Sequence, residues 1–114
     1  MLAKKYRFHS RGGVRATYKS GKTIRRPLIS LVHAKNTRNR QRFAVVVSKK
    51  VAKRAVKRNQ IRRRVYEALR ETIKDQNFTA KTDNIFVIYS DKVLKIPFPD
   101  LKSLLSSLLK ESMI

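Results

Sequence analysis

Residues 51 to 95 contain neither glycine nor proline, and inside that stretch the apolar residues recur with the period of a helix. At about 100° per residue, Ile61, Val65, Ala68, Leu69 and Thr72 fall within an arc of about 100°, whereas Asn59, Arg63, Tyr66 and Arg70 fall within about 60° on the opposite side. The pattern predicts a helix over residues 55–74 that packs one face on a core and leaves the other for a partner. Extended backwards, the same wheel puts Arg54 and Arg58 on the packed side, where a guanidinium cannot be buried alone. The helix is therefore expected to overhang its sheet at the N-terminal end, with Arg58 beside the groove at the sheet edge.

Charge sets the kind of partner. Nine of the sixteen residues from 49 to 64 are Lys or Arg and none is acidic. The chain as a whole carries 29 Lys and Arg against 7 Asp and Glu, a formal net charge of +22. The excess is concentrated: residues 1–70 hold 23 basic side chains and one acid, Glu67, while residues 71–114 hold six of each. Self-repulsion of this size disfavours a compact state unless a polyanion or counterions screen it, and nucleic acid is the default partner for such a field.

The length of 114 residues suits a single domain over residues 1–114 with one modest core. The sequence has no cysteine, which excludes disulfides and thiolate metal sites and fits a reducing compartment. No apolar run approaches the ~20 residues of a membrane span, and the basic start of the chain lacks the apolar centre of a secretory signal. A cytoplasmic protein with no membrane contact and no obligate protein partner is expected.

The remaining elements follow from local pattern. Val14 and Tyr18 sit four apart in a short amphipathic stretch ended by Gly21, which reads as a helix over residues 14–19. Residues 28–34 and 42–48 are apolar and rich in β-branched side chains, and the polar stretch 35–41 between them reads as a turn, so the two are expected to pair as antiparallel neighbours. Thr23 and Ile24 suggest a short edge strand before Pro27. Residues 83–89 read as a buried strand, and a helix of about twenty residues before it makes parallel pairing with the strand at 42–48, a βαβ unit, plausible. Pro97, Pro99 and Asp100 open a final helix in which Leu101, Leu104, Leu105, Leu108 and Leu109 form a core-facing stripe too short for a zipper.

The strand end Ser48-Lys49-Lys50-Val51, the run Ala55-Val56-Lys57-Arg58-Asn59-Gln60-Ile61-Arg62-Arg63 and the continuation Glu67-Ala68-Leu69-Arg70 resemble the bacterial ribonuclease P protein subunit. In that family a strand ends in Ser-Lys-Lys, followed by a loop, Ala-Val-x-Arg-Asn-Arg-x-Lys-Arg, and a helix running to Glu-Ala-hydrophobic-Arg. The similarity extends upstream to about Arg7 through Tyr18-Lys19-Ser20-Gly21 and Pro27-Leu28-Ile29, and downstream through the strand starting at Asp83 to the Leu-rich helix. Two positions depart from the family pattern: the last member of the Arg-Asn-Arg triplet is Gln60, and the usual phenylalanine of the first helix is Val14.

The resemblance implies an α+β fold, a two-layer sandwich of αβββαβα order with a left-handed βαβ crossover, like the second domain of the fifth small-subunit ribosomal protein. General handedness rules alone would have favoured a right-handed crossover. It also implies a function: binding a large catalytic RNA and the single-stranded 5′ leader of precursor tRNA, with the RNA cutting the leader off using Mg²⁺ that the RNA mainly holds. Carried over by matched position, the leader cleft comprises Val14, Tyr18, Val32, Ser48, Lys49, Lys50 and Arg58. The surface for the catalytic RNA comprises Asn59, Arg62, Arg63 and Arg70 with Lys53 and Arg54, where Arg forks suit phosphate. A basic groove with an aromatic such as Tyr18 suits leaders of varied sequence, since any base can stack.

No catalytic or metal-binding residue is expected on the protein. A protein-based two-metal nuclease needs clustered carboxylates, yet no acid precedes Glu67 in the basic region. His9 and His33 could act as an acid and base pair in a metal-independent ribonuclease, but they lie in separate elements at no telling spacing. A structural RNA binder of the ribosomal type is the other reading that charge and size allow.

Overall fold

The computed structural model of the protein describes Arg7 and residues 21–36, 41–76 and 82–113. In chain order these residues form strand β1 (Lys22–Ile24), strand β2 (Ile29–Lys35), strand β3 (Arg42–Val47), helix α1 (Ala55–Gln76), strand β4 (Thr82–Ile88), a 3-10 turn (Asp91–Lys95) and helix α2 (Phe98–Ser112). The helix expected over residues 14–19 lies outside the described residues.

The strands make one mixed sheet in the order β1-β2-β4-β3. The expected pairing of β2 with β3 is therefore wrong, because β4 lies between them. It runs antiparallel to β2 from Ile29↔Ile88 to Lys35↔Thr82 and parallel to β3 from Arg42↔Asp83 to Val47↔Ile88. The physical reason is burial. Ile85, Phe86 and Ile88 are nearly or wholly buried and point alternately to both faces, so β4 belongs in the middle of the sheet, where both faces are covered. The parallel β3-α1-β4 unit is as expected, and β1 is the short edge strand ahead of Pro27.

Alternation along the strands sorts their side chains into two layers. Ile29 and Leu31 of β2, Phe43, Val45 and Val47 of β3, and Phe86 and Ile88 of β4 face both helices and form the main core. Val32, Ala44 and Ile85, with Val46 and Val87 against them, form a smaller cluster on the other face. From α1 the core receives Ile61, Val65, Ala68 and Leu69, and from α2 Leu101, Leu105, Leu108 and Leu109, all with no exposed surface. Full burial of each such side chain is worth ~1.5–3 kcal/mol. The Leu stripe of α2 is thus core, and Pro99 within its first turn suits a position that has no helical acceptor for its missing N–H.

Tyr66 departs from the wheel reading: it is 7% exposed, not part of the open face. Its long side chain reaches the outer edge of β3, where the Val45 backbone N–H donates to the Tyr66 hydroxyl at 3.2 Å. An edge strand leaves such amides without a ladder partner, and a buried one needs an acceptor. The same edge receives Arg7, which bridges to Phe43 and holds its guanidinium 6.0 Å from the centre of the Tyr66 ring.

At the opposite end of the parallel pair from the β3–α1 turn, Arg42 and Asp83 form a two-toothed ion pair. Arg42 donates through Nε at 2.8 Å and Nη2 at 2.7 Å, and Asn36 Nδ2 adds a third bond to the carboxylate at 2.8 Å. With side chains only 18% and 10% exposed, the pair ties β3 to β4 and to the end of β2 where little water competes.

Candidate nucleic-acid interface

The interface is built around the turn that carries the chain from β3 into α1. Ser48 accepts backbone bonds from Val51 at 3.1 Å and Ala52 at 3.4 Å, which folds the Ser-Lys-Lys step into a tight turn and leaves Ser48, Lys49 and Lys50 exposed. Lys53 and Arg54 follow, also exposed. The helix then begins with no acid in its first turn, and that turn contains Lys57 and Arg58. Cations at the positive end of a helix dipole oppose it, so the local potential is strongly positive and phosphate would relieve the repulsion.

Arg58 is not simply one more exposed cation. Its Nη1 donates to the carbonyl of Ala52 at 2.9 Å and of Lys53 at 2.7 Å. The wheel put Arg58 on the packed side with no sheet beneath it, and the structure resolves this by folding the guanidinium back onto the turn. Arg58 thereby fixes the loop that presents Lys49, Lys50, Lys53 and Arg54. Arg54 itself precedes the helix and stays exposed.

Along the outer face of α1, Asn59, Arg63 and Arg70 are exposed. Arg62 is half-buried and donates to the Asn59 side-chain oxygen, so these two hold each other in place. Arg63 has no acidic partner among the described residues. Arg70 pairs with Glu67 one turn back at 3.2 Å, which removes part of its charge from the surface. Arg64 is half-buried and turned to structure: it donates to the Ile96 carbonyl and lies 5.7 Å from the centre of the Phe98 ring, anchoring α1 to the start of α2. In the sequence it was simply one of the nine cations between residues 49 and 64.

The acids are largely spent on structure. Lys57 binds Asp91 at 2.8 Å, holding that carboxyl below its ordinary range, while Glu71 meets Lys102 at 3.6 Å and Glu111 pairs with Arg26. Together with Asp83 and Glu67, five acids thus sit beside a cation, and none of these pairs involves Lys49, Lys50, Lys53, Arg54, Arg58, Arg62 or Arg63. Of the cations expected to face RNA, Arg70 is thus the one with an acid beside it among the described residues. Among the described residues no three His, Cys, Asp or Glu side chains gather into a group that could hold a metal ion.

The leader-cleft residues are only partly brought together. Ser48, Lys49, Lys50 and Arg58 share the β3–α1 turn, whereas Val32 lies on the sheet face away from both helices and is 4% exposed, against Ala44 and Ile85. Val14 and Tyr18 lie outside the described residues, as does His9. His33, opposite Lys22 on β1, has its pKa lowered by burial and by that lysine. No helix among the described residues is long and apolar enough to cross a membrane.

A surface feature that the sequence reading passed over is Tyr89, the residue just past β4. It is 46% exposed, with Val56 and Met113 one of the large apolar side chains turned to solvent among the described residues. Its signal was present: it follows the inward-facing Ile88 by one residue, and strand alternation turns it out.

Comparison with known proteins agrees with this geometry. The family model for ribonuclease P matches residues 2–113. The ribonuclease P protein component of Chloroflexus aurantiacus is 32% identical over 111 residues, covering 97% of this chain and 80% of that protein. Among solved structures, a Staphylococcus aureus RNase P protein mutant described as defective in mRNA degradation superposes with a TM-score of 0.76 at 22% identity, covering 96% of this chain and 90% of that one. The RNase P protein from Thermotoga maritima gives a TM-score of 0.75 at 22% identity over 92% and 96% of the two chains. The structures establish the shared α+β fold, and the sequence match over nearly the whole length establishes descent: this chain belongs to the ribonuclease P protein family, the protein component of an endoribonuclease of tRNA processing.

Proposed function

We propose that this protein is the non-catalytic subunit of ribonuclease P, binding the catalytic RNA along α1 and the single-stranded 5′ leader of precursor tRNA at the β3–α1 turn. The observation that carries the reading is the distribution of charge. Acids pair with Lys57, Arg70, Lys102, Arg26 and Arg42, while Lys49, Lys50, Lys53, Arg54, Arg58, Arg62 and Arg63 have no acidic partner among the described residues.

The two surfaces have different chemistry. On α1, Asn59, Arg62, Arg63 and Arg70, with Lys53 and Arg54 at its start, present forks and amides that suit the phosphates of a folded RNA. At the turn, Lys49 and Lys50 can follow a flexible backbone, and Arg58 keeps the turn in shape. Val14 and Tyr18 would add contact surface from residues 14–19, and Val32 would support the cleft from the sheet. Neutralising phosphates on both RNAs lets catalyst and substrate approach at lower salt cost. Mg²⁺ would be held by RNA phosphates and would activate water and stabilise the leaving oxygen there; the protein's part is to bind, orient and neutralise.

The test is the RNA that co-purifies with the protein from its source cells. Recovery of the ribonuclease P RNA with precursor tRNA is expected. Recovery only within ribosomal subunits, with leader processing unaffected when the protein is depleted, would favour a structural ribosomal role and overturn the proposal.

A further inference from the structure

Resting on the leader-binding reading above, we infer that Tyr89 is a base-stacking platform for the single-stranded RNA that enters at the Ser48-Lys49-Lys50 turn. The parallel register pairs Val47 with Ile88, so the next residues, Ser48 and Tyr89, leave the sheet side by side at the end where the basic turn begins. Ile88 points into the helix-side core. Alternation therefore turns Tyr89 to the other side, with Val87 and, on β3, Val46.

The ring is presented by a fixed backbone. Its own N–H donates to the Leu28 carbonyl at 2.9 Å, extending the β2–β4 ladder by one residue. On its other flank Ser90 Oγ accepts from the Lys92 N–H at 3.2 Å and caps the 3-10 turn, and Asp91 is tied to Lys57 at 2.8 Å. That last ion pair also neutralises the nearest acid in sequence, so a phosphate chain passing Lys49 and Lys50 meets no bare carboxylate there. A preordered aromatic loses little freedom when a base stacks on it, and every base has a face to offer. The occupant this chemistry selects is a single strand of RNA: a polyanion whose unpaired bases are open to stacking. A duplex keeps its base faces covered.

The experiment uses holoenzyme reconstituted with a bacterial ribonuclease P RNA and compares affinity for precursor tRNA with that for mature tRNA. Tyr89→Ala should weaken precursor tRNA by roughly 5- to 100-fold and leave mature tRNA unchanged. Tyr89→Phe should bind like the parent, and Tyr89→Leu, which keeps bulk without a ring face, should lose most of the same affinity. A Lys49→Ala/Lys50→Ala variant serves as the control for the turn. If that variant loses leader affinity while Tyr89→Ala does not, the stacking role is overturned and the leader site at the turn stands. If neither variant changes the preference for precursor tRNA, the leader-binding reading itself fails and Tyr89 falls with it. Self-association of the parent that Tyr89→Ala abolishes, with leader affinity intact, would assign the ring to a second copy of the chain and also overturn the inference.

Discussion

Replacing Arg58 separates a residue that touches RNA from one that shapes the surface that does. In the structure a single Nη1 bonds the carbonyls of both Ala52 and Lys53, at 2.9 and 2.7 Å. Hydrogen bonds from a charged donor are worth about 1.5–3 kcal/mol each when buried, but these two share a donor and stand partly in water, so Arg58→Ala should cost about 2 kcal/mol in total. For a domain of this size that corresponds to a fall in Tm of roughly 8–12 °C. The loss should be local as well as global: backbone amides of residues 48–54 should exchange faster with deuterium, and precursor tRNA should bind less tightly because Lys49 and Lys50 are no longer held in register. Arg58→Lys keeps the charge but sits shorter, so it should recover only part of the thermal loss. Calorimetry, hydrogen exchange and precursor tRNA affinity measured on the same variants decide the matter. An unchanged Tm and unchanged exchange at residues 48–54, with leader affinity reduced, would show that Arg58 contacts RNA directly and would refute the clamp.

Other expectations follow from the same geometry. Arg63→Ala, which removes an exposed cation with no acidic partner among the described residues, should lower the slope of log affinity against log salt for the catalytic RNA by about one, as read from binding across a salt series. Asp83→Ala removes the two-toothed partner of Arg42 in a site where the pair is only 18% and 10% exposed and should cost roughly 2–4 kcal/mol by urea unfolding, with RNA affinity at saturating folded protein unchanged. His33 has its folded pKa lowered from 6.5 by burial and Lys22, so below that pH the unfolded chain takes up a proton that the folded one resists. Its contribution to stability is present above about pH 6.5 and is lost as pH falls toward the folded value. His33→Gln should therefore flatten the decline in Tm between pH 7 and pH 5, and an identical decline in both proteins would contradict this assignment.

How much of this was legible depended on whether the signal was local. Helix α1 was, because Ile61, Val65, Ala68, Leu69 and Thr72 repeat at helical spacing within one segment and no glycine or proline interrupts it. The same wheel also showed that Arg58 could not point freely to solvent, although not that it would fold back on its own turn. Strand order was not legible from neighbouring segments: adjacent strands usually pair, and only the two-sided burial of Ile85, Phe86 and Ile88 displaces β3 to the edge. That displacement created the bare Val45 amide that draws in the Tyr66 hydroxyl, so one missed pairing explains one misplaced side chain. Arg64 and Arg42 were hidden for a different reason. A cation in a basic run looks the same whether it meets phosphate or a carbonyl, and their partners, Ile96 and Asp83, lie 32 and 41 residues away. The family resemblance supplied what patterning could not, namely which polyanion to propose as the partner.

The most direct test of the central claim is reconstitution. Purified protein, added to a bacterial ribonuclease P RNA at low Mg²⁺, should restore removal of the 5′ leader from precursor tRNA, and the protein alone should cut nothing. Leader cleavage by the protein without RNA, abolished by His9→Ala or His33→Ala, would contradict the account and make the protein itself the nuclease.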